Sequence, residues 1–373
     1  MLGRTRPPFR ADHVGSLIRP DALISAREAA EKAEIASGEL TRIQQEAIRD
    51  VVRLQEEIGF RLATDGEYNR TFWQRDFLLK FSNVRQVAAK LTVRFHSAAG
   101  ARDHSPPSLQ VTGKLDRPCG IFVDDFRFLK SVAHGTAKIT IPSPTTMHFR
   151  GGREAVDAKA YPDMGQFYTD LARVYREEIH DLAQAGCRYL QIDEVNLAYL
   201  CDPELRAQVR NIGEDPDTLP KTYARLLNDT IAGRPDDMVV CMHLCRGNFA
   251  GAWVAEGGYD PIAELLFNEI AVDGYFLEYD TPRAGSFAPL RFLPKGKIAV
   301  LGLVTTKSAA LETKDDLKRR IEEASRYAPL DQLALSPQCG FSSGIGGNAM
   351  TVDDEIAKLR LVVEVAREVW GEA

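Results

Sequence analysis

Seven or eight short apolar, β-branched runs recur along the chain, and each stops abruptly in polar or glycine-containing sequence. They are Arg10–Val14, Phe60–Thr64, Ala137–Ile141, Arg188–Ile192, Met238–Met242, Gly274–Leu277, Lys297–Leu301 and Gln332–Leu335. Helix-like stretches lie between them. Thr41–Ile58 sets Ile43, Ala47, Ile48, Val51, Leu54 and Ile58 close to a 3.6-residue period. Met164–Ala185 repeats the pattern and stops before Gly186, a natural C-cap. Leu311–Tyr327 and Val352–Trp370 complete the set. Strands that alternate with helices pair in parallel, because each returns through a crossover. Eight such units predict an α/β fold, a (β/α)8 TIM barrel. Barrels of this kind carry their chemistry at the C-terminal strand ends. The polar tails Gly15-Ser16, Asp65-Gly66-Glu67, Asp193-Glu194, His243-Leu244-Cys245, Glu278-Tyr279-Asp280 and Ser336 to Gly340 fall there.

One region breaks the alternation. Between about residues 83 and 128, Lys90–Phe95 and Ser108–Gly113 alternate as strands, with Ala99–Pro107 as loop between them. This reads as a β-hairpin-like insertion after the second strand. With no internal repeat and no low-complexity linker, residues 1–373 are expected to form one catalytic domain.

Composition narrows the function classes. The chain has a net charge of −6 and no basic run, which disfavours nucleic acid and anionic membranes as partners. No apolar run approaches a membrane span, and the N-terminal basic residues have no apolar stretch behind them. Six scattered cysteines are too few for a disulfide scaffold, so a reducing cytoplasm is the expected compartment. There, clustered Cys and His are read first as metal or catalytic groups.

Such a cluster can be assembled from strand ends. His243 and Cys245 are two apart in a strand, so imidazole and thiol face one side. Glu278 and Cys339 stand at the ends of the sixth and eighth strands, which converge with the fifth on the barrel axis. Together they form an N, S, O, S set suited to tetrahedral zinc. Four protein ligands leave no water to activate, so hydrolysis is disfavoured. Exchange of the weak glutamate ligand for a substrate thiol fits better, since zinc holds a thiol as thiolate at neutral pH. The chemistry implied is alkyl transfer to a thiol.

These motifs resemble the cobalamin-independent methionine synthase family, in particular its short single-barrel members. The likeness runs from His13-Val14-Gly15-Ser16 to the last helix. It passes through Asp65-Gly66-Glu67, Gln191 to Glu194, His243 to Asn248, Leu277-Glu278 and Ser336 to Gly340. The resemblance implies a zinc-dependent methyltransferase that converts homocysteine to methionine, with zinc on His243, Cys245, Glu278 and Cys339. It carries the homocysteine contacts onto the Val14-Gly15-Ser16 segment, and onto Glu67 and Asp193 as the acidic pair of the catalytic site. Folate, methylcobalamin or a corrinoid protein could supply the methyl group.

The chain also departs from the family. Tyr199 stands where the family has an acidic residue that holds the pterin. Lys307 falls near the place of its catalytic histidine. The indole that stacks on the pterin has no counterpart, and His148-Phe149-Arg150 stand nearby. The thiol half of the site is therefore kept and the methyl-donor half altered. Two roles remain open for several residues. His13 either touches substrate or is an ordinary hydrogen-bonded histidine. Arg246 and Asn248 either hold a substrate carboxylate or shape their loop. Phe72-Trp73 either stack on a donor or pack. Ser342–Asn348 lacks the P-loop ending and is read as a loop at the mouth. Cys119, Cys187, Cys201 and Cys241 are read as structural, although Cys241 shares a strand face with His243 by parity. Two alternatives stand beside methionine formation. One joins another thiol, such as coenzyme M, to an epoxide or other electrophile. The other is a barrel that only binds. Glu67 and Asp193 favour a substrate with an amine, which coenzyme M lacks.

Overall fold

The computed structural model describes residues 4–88, 93–97, 100–104 and 107–373. Its strands in chain order are β1 (Leu62–Ala63), β2 (Ser82–Val87), β3 (Val93–Ser97), β4 (Gly100–His104), β5 (Ser108–Asp116), β6 (Thr136–Pro142), β7 (Tyr189–Glu194), β8 (Val239–Leu244), β9 (Gly274–Glu278), β10 (Ile298–Val304) and β11 (Leu333–Pro337). Seven of them form one parallel sheet in the order β1-β6-β7-β8-β9-β10-β11. Every residue of β7, β8, β9, β10 and β11 is buried, as expected for strands covered on both faces.

The expected first strand is the exception. Arg10–Val14 makes a single parallel bridge, Ala11 to Leu335, and no ladder. The reason lies in its backbone donors. The Asp12 carboxylate accepts from the amides of Phe9 (3.3 Å) and His13 (2.8 Å), which removes them from strand pairing. On the other flank, β1 is only two residues long because the Gln55 side chain bonds both the N–H (2.8 Å) and C=O (2.9 Å) of Thr64. A buried ion pair anchors the segment instead. Lys138 Nζ lies 2.9 Å from Asp12 Oδ1 and donates to the His13 carbonyl at 2.6 Å, while the Tyr189 hydroxyl donates to Asp12 Oδ2 at 2.7 Å. Above this network, Val14, Cys241, Phe276, Ile298, Val300 and Ala334 belong to one inner cluster, so the barrel is packed rather than open.

Helices follow the expected pattern with ends set by caps. Ser37–Ile58 ends at Gly59, which is left-handed with φ 109°. Met164–Gln184 starts at the Asp163 cap, whose side chain accepts from Gly165 N–H. The helix expected from Leu311 begins only at Lys314, because Thr313 caps it by accepting from Asp316 N–H. Val352–Trp370 carries a full capping box between Thr351 and Asp354. No helix among the described residues is long and apolar enough to cross a membrane.

The antiparallel region differs in its pairing from the sequence reading. β2 pairs with β5, Val84 opposite Val111, and β3 pairs with β4 around Ser97 and Gly100. Part of the segment expected as loop is therefore strand β4. Val123–Val132, the end of the expected insertion included, is a helix of the barrel. Of the expected strand and loop, Lys90 to Thr92, Ala99, Ser105 and Pro106 lie outside the described residues. The β3–β4 pair docks on the loop after β8: His96 and Trp253 exchange backbone hydrogen bonds of 2.7 and 2.9 Å.

Candidate active site and metal centre

A cavity of about 230 Å³ opens at the C-terminal end of the barrel. On one side stand His243 and Cys245, at the end of β8 and just beyond it, together with Cys339, two residues past β11. One ligand atom from each of His243, Cys245, Glu278 and Cys339 lies within 4.8 Å of all the others, and all four residues are buried. Neither ring nitrogen of His243 has a hydrogen-bond partner among the described residues. Buried polar atoms are rarely left so, and two orphaned nitrogens beside two sulfurs and a carboxylate fit a soft divalent metal such as zinc. The Cys245 and Cys339 sulfurs are 3.5 Å apart. Their hydrogen bond lowers the Cys339 pKa well below the ordinary thiol value and raises that of Cys245, so one proton serves both. Burial works against ionisation of Glu278, but Lys307, Arg283 and His243 outweigh it and hold its pKa below the usual value. Its oxygens accept from Arg246 N–H (2.8 Å) and the Arg283 guanidinium (3.1 Å).

The acidic pair faces the same cavity. Asp193 ends the inward series Tyr189, Gln191, Asp193, in register with His243 on β8. Gln191 Nε2 donates to Asp193 Oδ1 at 2.7 Å. Burial first, and then the charge of Glu67, push the Asp193 carboxyl up to about 7. Glu67 lies in a turn whose Gly66 (φ 65°) and Glu67 itself (φ 61°) are both left-handed. The Asp65 carboxylate pins that turn by accepting from Glu67 N–H at 2.9 Å, and Arg19 donates to the Glu67 carbonyl at 2.8 Å. A non-glycine residue held there is strained, and the strain aims a carboxylate into the cavity. Arg70 donates to Thr140 Oγ1 (2.9 Å), which donates to Glu67 Oε1 (2.9 Å), and Glu67 Oε2 has no hydrogen-bond partner among the described residues. Burial raises the Glu67 pKa, with Arg70 pulling the other way.

The remaining expected residues divide. Ser16 lines the cavity, and Gly340 makes room for it: a Cβ there would come within 1.9 Å of Ser16 Oγ. Gly15 does not line the cavity; its φ of 135° and a hypothetical Cβ 2.7 Å from Thr140 leave room only for glycine beside that wall. His13 does not line the cavity. Its Nε2 meets Gln55 Oε1 at 2.9 Å and its ring packs edge-on to Phe60. Burial, with Lys138 adding to it, holds its pKa down at about 3. Arg246 also turns away, its guanidinium 4.2 Å over the Tyr259 ring. Asn248 lines the cavity, donates to the Gly340 carbonyl (2.8 Å) and accepts from Lys307 (3.4 Å). Cys241 packs in the inner cluster one layer below His243. Glu194 is consumed structurally, accepting from Thr145 Oγ1 (2.6 Å), Ser143 and the amides of Asn196 and Leu197.

The lining also takes in Phe72, Trp73, Arg150 and Tyr199, with Phe95 and Leu109 as roof residues from the antiparallel insertion. The sequence reading missed the supports Arg70 and Thr140 and the roof residues. Arg70 is three residues past Glu67 in a tight turn, a spacing that could have flagged it. Nothing local marks Phe95 or Leu109.

The chain matches the family model described as the catalytic domain of cobalamin-independent synthase over residues 9–368. A Bacillus subtilis protein, YxjG, described as uncharacterized, is 43% identical over 99% of this chain and 97% of its own length. A Saccharolobus solfataricus methionine synthase is 25% identical over 88% of this chain and 86% of its own. A Listeria monocytogenes crystal structure, provisionally named a vitamin-B12-independent methionine synthase, superposes with a TM-score of 0.79 at 36% identity, covering 99% of this chain and all of that one. The barrel is the fold of these neighbours, and the chain belongs to the family of cobalamin-independent synthase catalytic domains, a family of methyltransferases.

Proposed function

We propose that this barrel is a single catalytic domain that transfers a methyl group to the thiol of homocysteine, giving methionine, with zinc as its resident metal. The observation that carries the reading is the shared cavity: His243, Cys245 and Cys339 of the His/Cys/Glu/Cys group line it together with Glu67 and Asp193, and Glu278 is buried with the three behind it. A thiol site alone would suit many substrates. A thiol site next to two carboxylates suits a thiol that also carries an ammonium.

His243, Cys245, Glu278 and Cys339 would hold the metal. Zinc, when bound, lowers the pKa of a substrate thiol so that it reacts as thiolate near neutral pH. Glu67 and Asp193 would accept charge-assisted hydrogen bonds from the substrate ammonium. Burial disfavours ionisation of both, and for Asp193 the charge of Glu67 adds to it, so an arriving ammonium would favour their ionised forms. Ser16 would meet the substrate carboxylate. Thr140, Arg70 and Gln191 hold the acidic pair in place, so the substrate arrives at a rigid frame. The transfer forms a sulfur–methyl bond, breaks the donor's bond to that carbon and releases the thiol proton.

The test is zinc content of the purified protein, with zinc-edge X-ray absorption before and after homocysteine. The expected result is one zinc per chain that gains a sulfur neighbour. Zinc without that change would overturn homocysteine as acceptor. No zinc under reducing, chelator-free conditions would overturn the metal assignment.

A further inference from the structure

Glu278 differs from the other three residues of the metal group in what surrounds it. His243, Cys245 and Cys339 line the cavity, and Glu278 does not. Among the described residues, the side chains of those three have no hydrogen-bond partner outside the group. Both oxygens of Glu278 are met from outside it. Oε1 accepts from the Arg246 amide at 2.8 Å, and Oε2 accepts from Arg283 Nη2 at 3.1 Å.

Arg283, in the loop after β9, is itself held in place. The same Nη2 donates to Asp280 Oδ1 at 2.8 Å, and Asp280 Oδ2 accepts from Thr305 Oγ1 at 2.8 Å. The guanidinium carbon lies 5.0 Å from the centre of the Trp253 ring. Trp253 is fixed in turn, by its indole N–H on Glu256 and by its backbone pairing with His96 of β3. The Glu278 and Asp280 side chains are fully buried, and that of Arg283 is 7% exposed. One rigidly placed, buried guanidinium therefore faces two buried carboxylates.

A buried carboxylate that lets go of a metal keeps its charge, and that charge is costly unless a partner stands ready. The same holds for a thiolate. Of the four residues, only Glu278 has an ion pair outside the group among the described residues. We propose that Arg283 is a positioning residue that makes Glu278 the ligand a substrate thiol displaces. This rests on the proposed zinc-bound thiolate chemistry. In the exchange the bond between a Glu278 oxygen and the metal breaks, the substrate sulfur takes its place, and the thiol proton goes to solvent. No group is oxidised or reduced. The freed carboxylate is received in its pair with Arg283.

The test uses the full chain loaded with zinc and two thiol probes, homocysteine and 2-mercaptoethanol. Zinc-edge X-ray absorption counts sulfur neighbours, chelator competition gives zinc affinity, and calorimetry gives thiol affinity. In the unaltered chain either thiol is expected to add one sulfur neighbour to those of Cys245 and Cys339, with imidazole scattering retained. Arg283→Gln is expected to weaken both thiols by at least about tenfold. Its zinc affinity without thiol is expected to stay within about threefold, because all four ligands remain. Arg283→Lys is expected to recover thiol affinity to within about threefold, since a point charge suffices for a single hydrogen bond to each carboxylate. A residue that merely orients Glu278 toward the metal would give the reverse pattern: zinc affinity about 10–100-fold lower and thiol affinity of the loaded chain unchanged. That result would overturn the proposal. The thiol penalty of Arg283→Gln is expected to vanish in a Glu278→Gln background, where no carboxylate is freed, and a penalty that persists there would overturn it too. If Arg283→Gln does not fold, the unaltered chain decides: loss of imidazole scattering, or no rise in sulfur neighbours with either thiol, would mean that Glu278 is not the ligand displaced. Exchange with 2-mercaptoethanol that depends on Arg283, without any response to homocysteine, would uphold Arg283 and overturn homocysteine as acceptor. Homocysteine exchange that ignores Arg283→Gln would do the opposite, and a chain that takes up no zinc would overturn both.

Discussion

The two halves of the cavity are built from different material. The half with His243, Cys245, Glu278 and Cys339 rests on the ends of β8, β9 and β11, where parallel register sets the height of each side chain. The half with Phe72, Trp73, Arg150 and Tyr199 rests on loops and one-turn helices, and its roof comes from an antiparallel excursion between β1 and β6. Strand ends leave little freedom, because moving one ligand means moving a buried ladder. Loops can change length and residue type without disturbing the sheet. A barrel can therefore keep one chemistry at the sulfur side while the partner on the other side changes. The arrangement here matches that division: a complete donor set faces a wall with an arginine and a tyrosine.

Removing a strand-end ligand should break the first half outright. Cys339→Ser or His243→Ala is expected to lower zinc affinity by more than about 100-fold, and turnover with it, since even outer-sphere partners are worth 10–100-fold. Circular dichroism and thermal melting should show an intact barrel. A variant that loses zinc and keeps full activity would erase the distinction between the halves. Next in size is the acidic pair. Glu67→Gln or Asp193→Asn is expected to weaken homocysteine binding by about 10–100-fold, the worth of one charge-assisted hydrogen bond. Titration calorimetry on zinc-loaded protein would show it, and unchanged affinity in both variants would detach the pair from the substrate amine. Trp73→Ala tests the loop-built half. It is expected to raise the KM for the methyl donor by about 3–10-fold, as for loss of an aromatic contact, with homocysteine affinity unchanged. A fall in homocysteine affinity instead would mean that the two halves are not separable.

The smallest effect on function is expected at His13, which faces Gln55 rather than the cavity. His13→Gln should leave homocysteine affinity within about twofold, because no substrate contact is removed. Its signature is in stability. The buried ring titrates at about 3 in the folded chain against 6.5 ordinarily, so below 6.5 the unfolded chain gains a proton that the folded chain refuses. Stability owed to neutral His13 is complete above that value and falls as the pH drops toward 3, by up to about 1.4 kcal/mol per pH unit. Denaturant midpoints between pH 7 and 5 should fall less steeply in the variant, and parallel slopes would refute the burial argument.

Much of the strand-built half was legible because local pattern and function coincide there. The end of an apolar run marks the end of a barrel strand, and residue parity shows which side chains point inward. That is enough to bring His243, Asp193, Glu278 and Cys339 toward one axis. Parity was less informative for Cys241, which shares the face of His243 but lies one layer down, inside the packed barrel. Nearness to a motif was no guide for His13 and Arg246, whose side chains turn toward Gln55 and Tyr259. Nor was apolar pattern enough for Arg10–Val14. An apolar run reads as a strand, but a single acceptor, Asp12, diverts its amides and leaves one bridge.

The chain by itself determined the alternation of strands and helices, the parallel sheet and the residue types at the strand ends. These follow from side-chain periodicity and from the crossover that each parallel strand requires, both of which are local. Tertiary structure decided what no local pattern records. It set the 3.5 Å approach of Cys245 to Cys339 across 94 residues, and the relay from Arg70 through Thr140 to Glu67. It also brought Phe95 and Leu109 of the insertion to the cavity that Arg150 and Tyr199 line. Each of these depends on the distance between groups far apart in the chain, and only closure of the barrel fixes that distance.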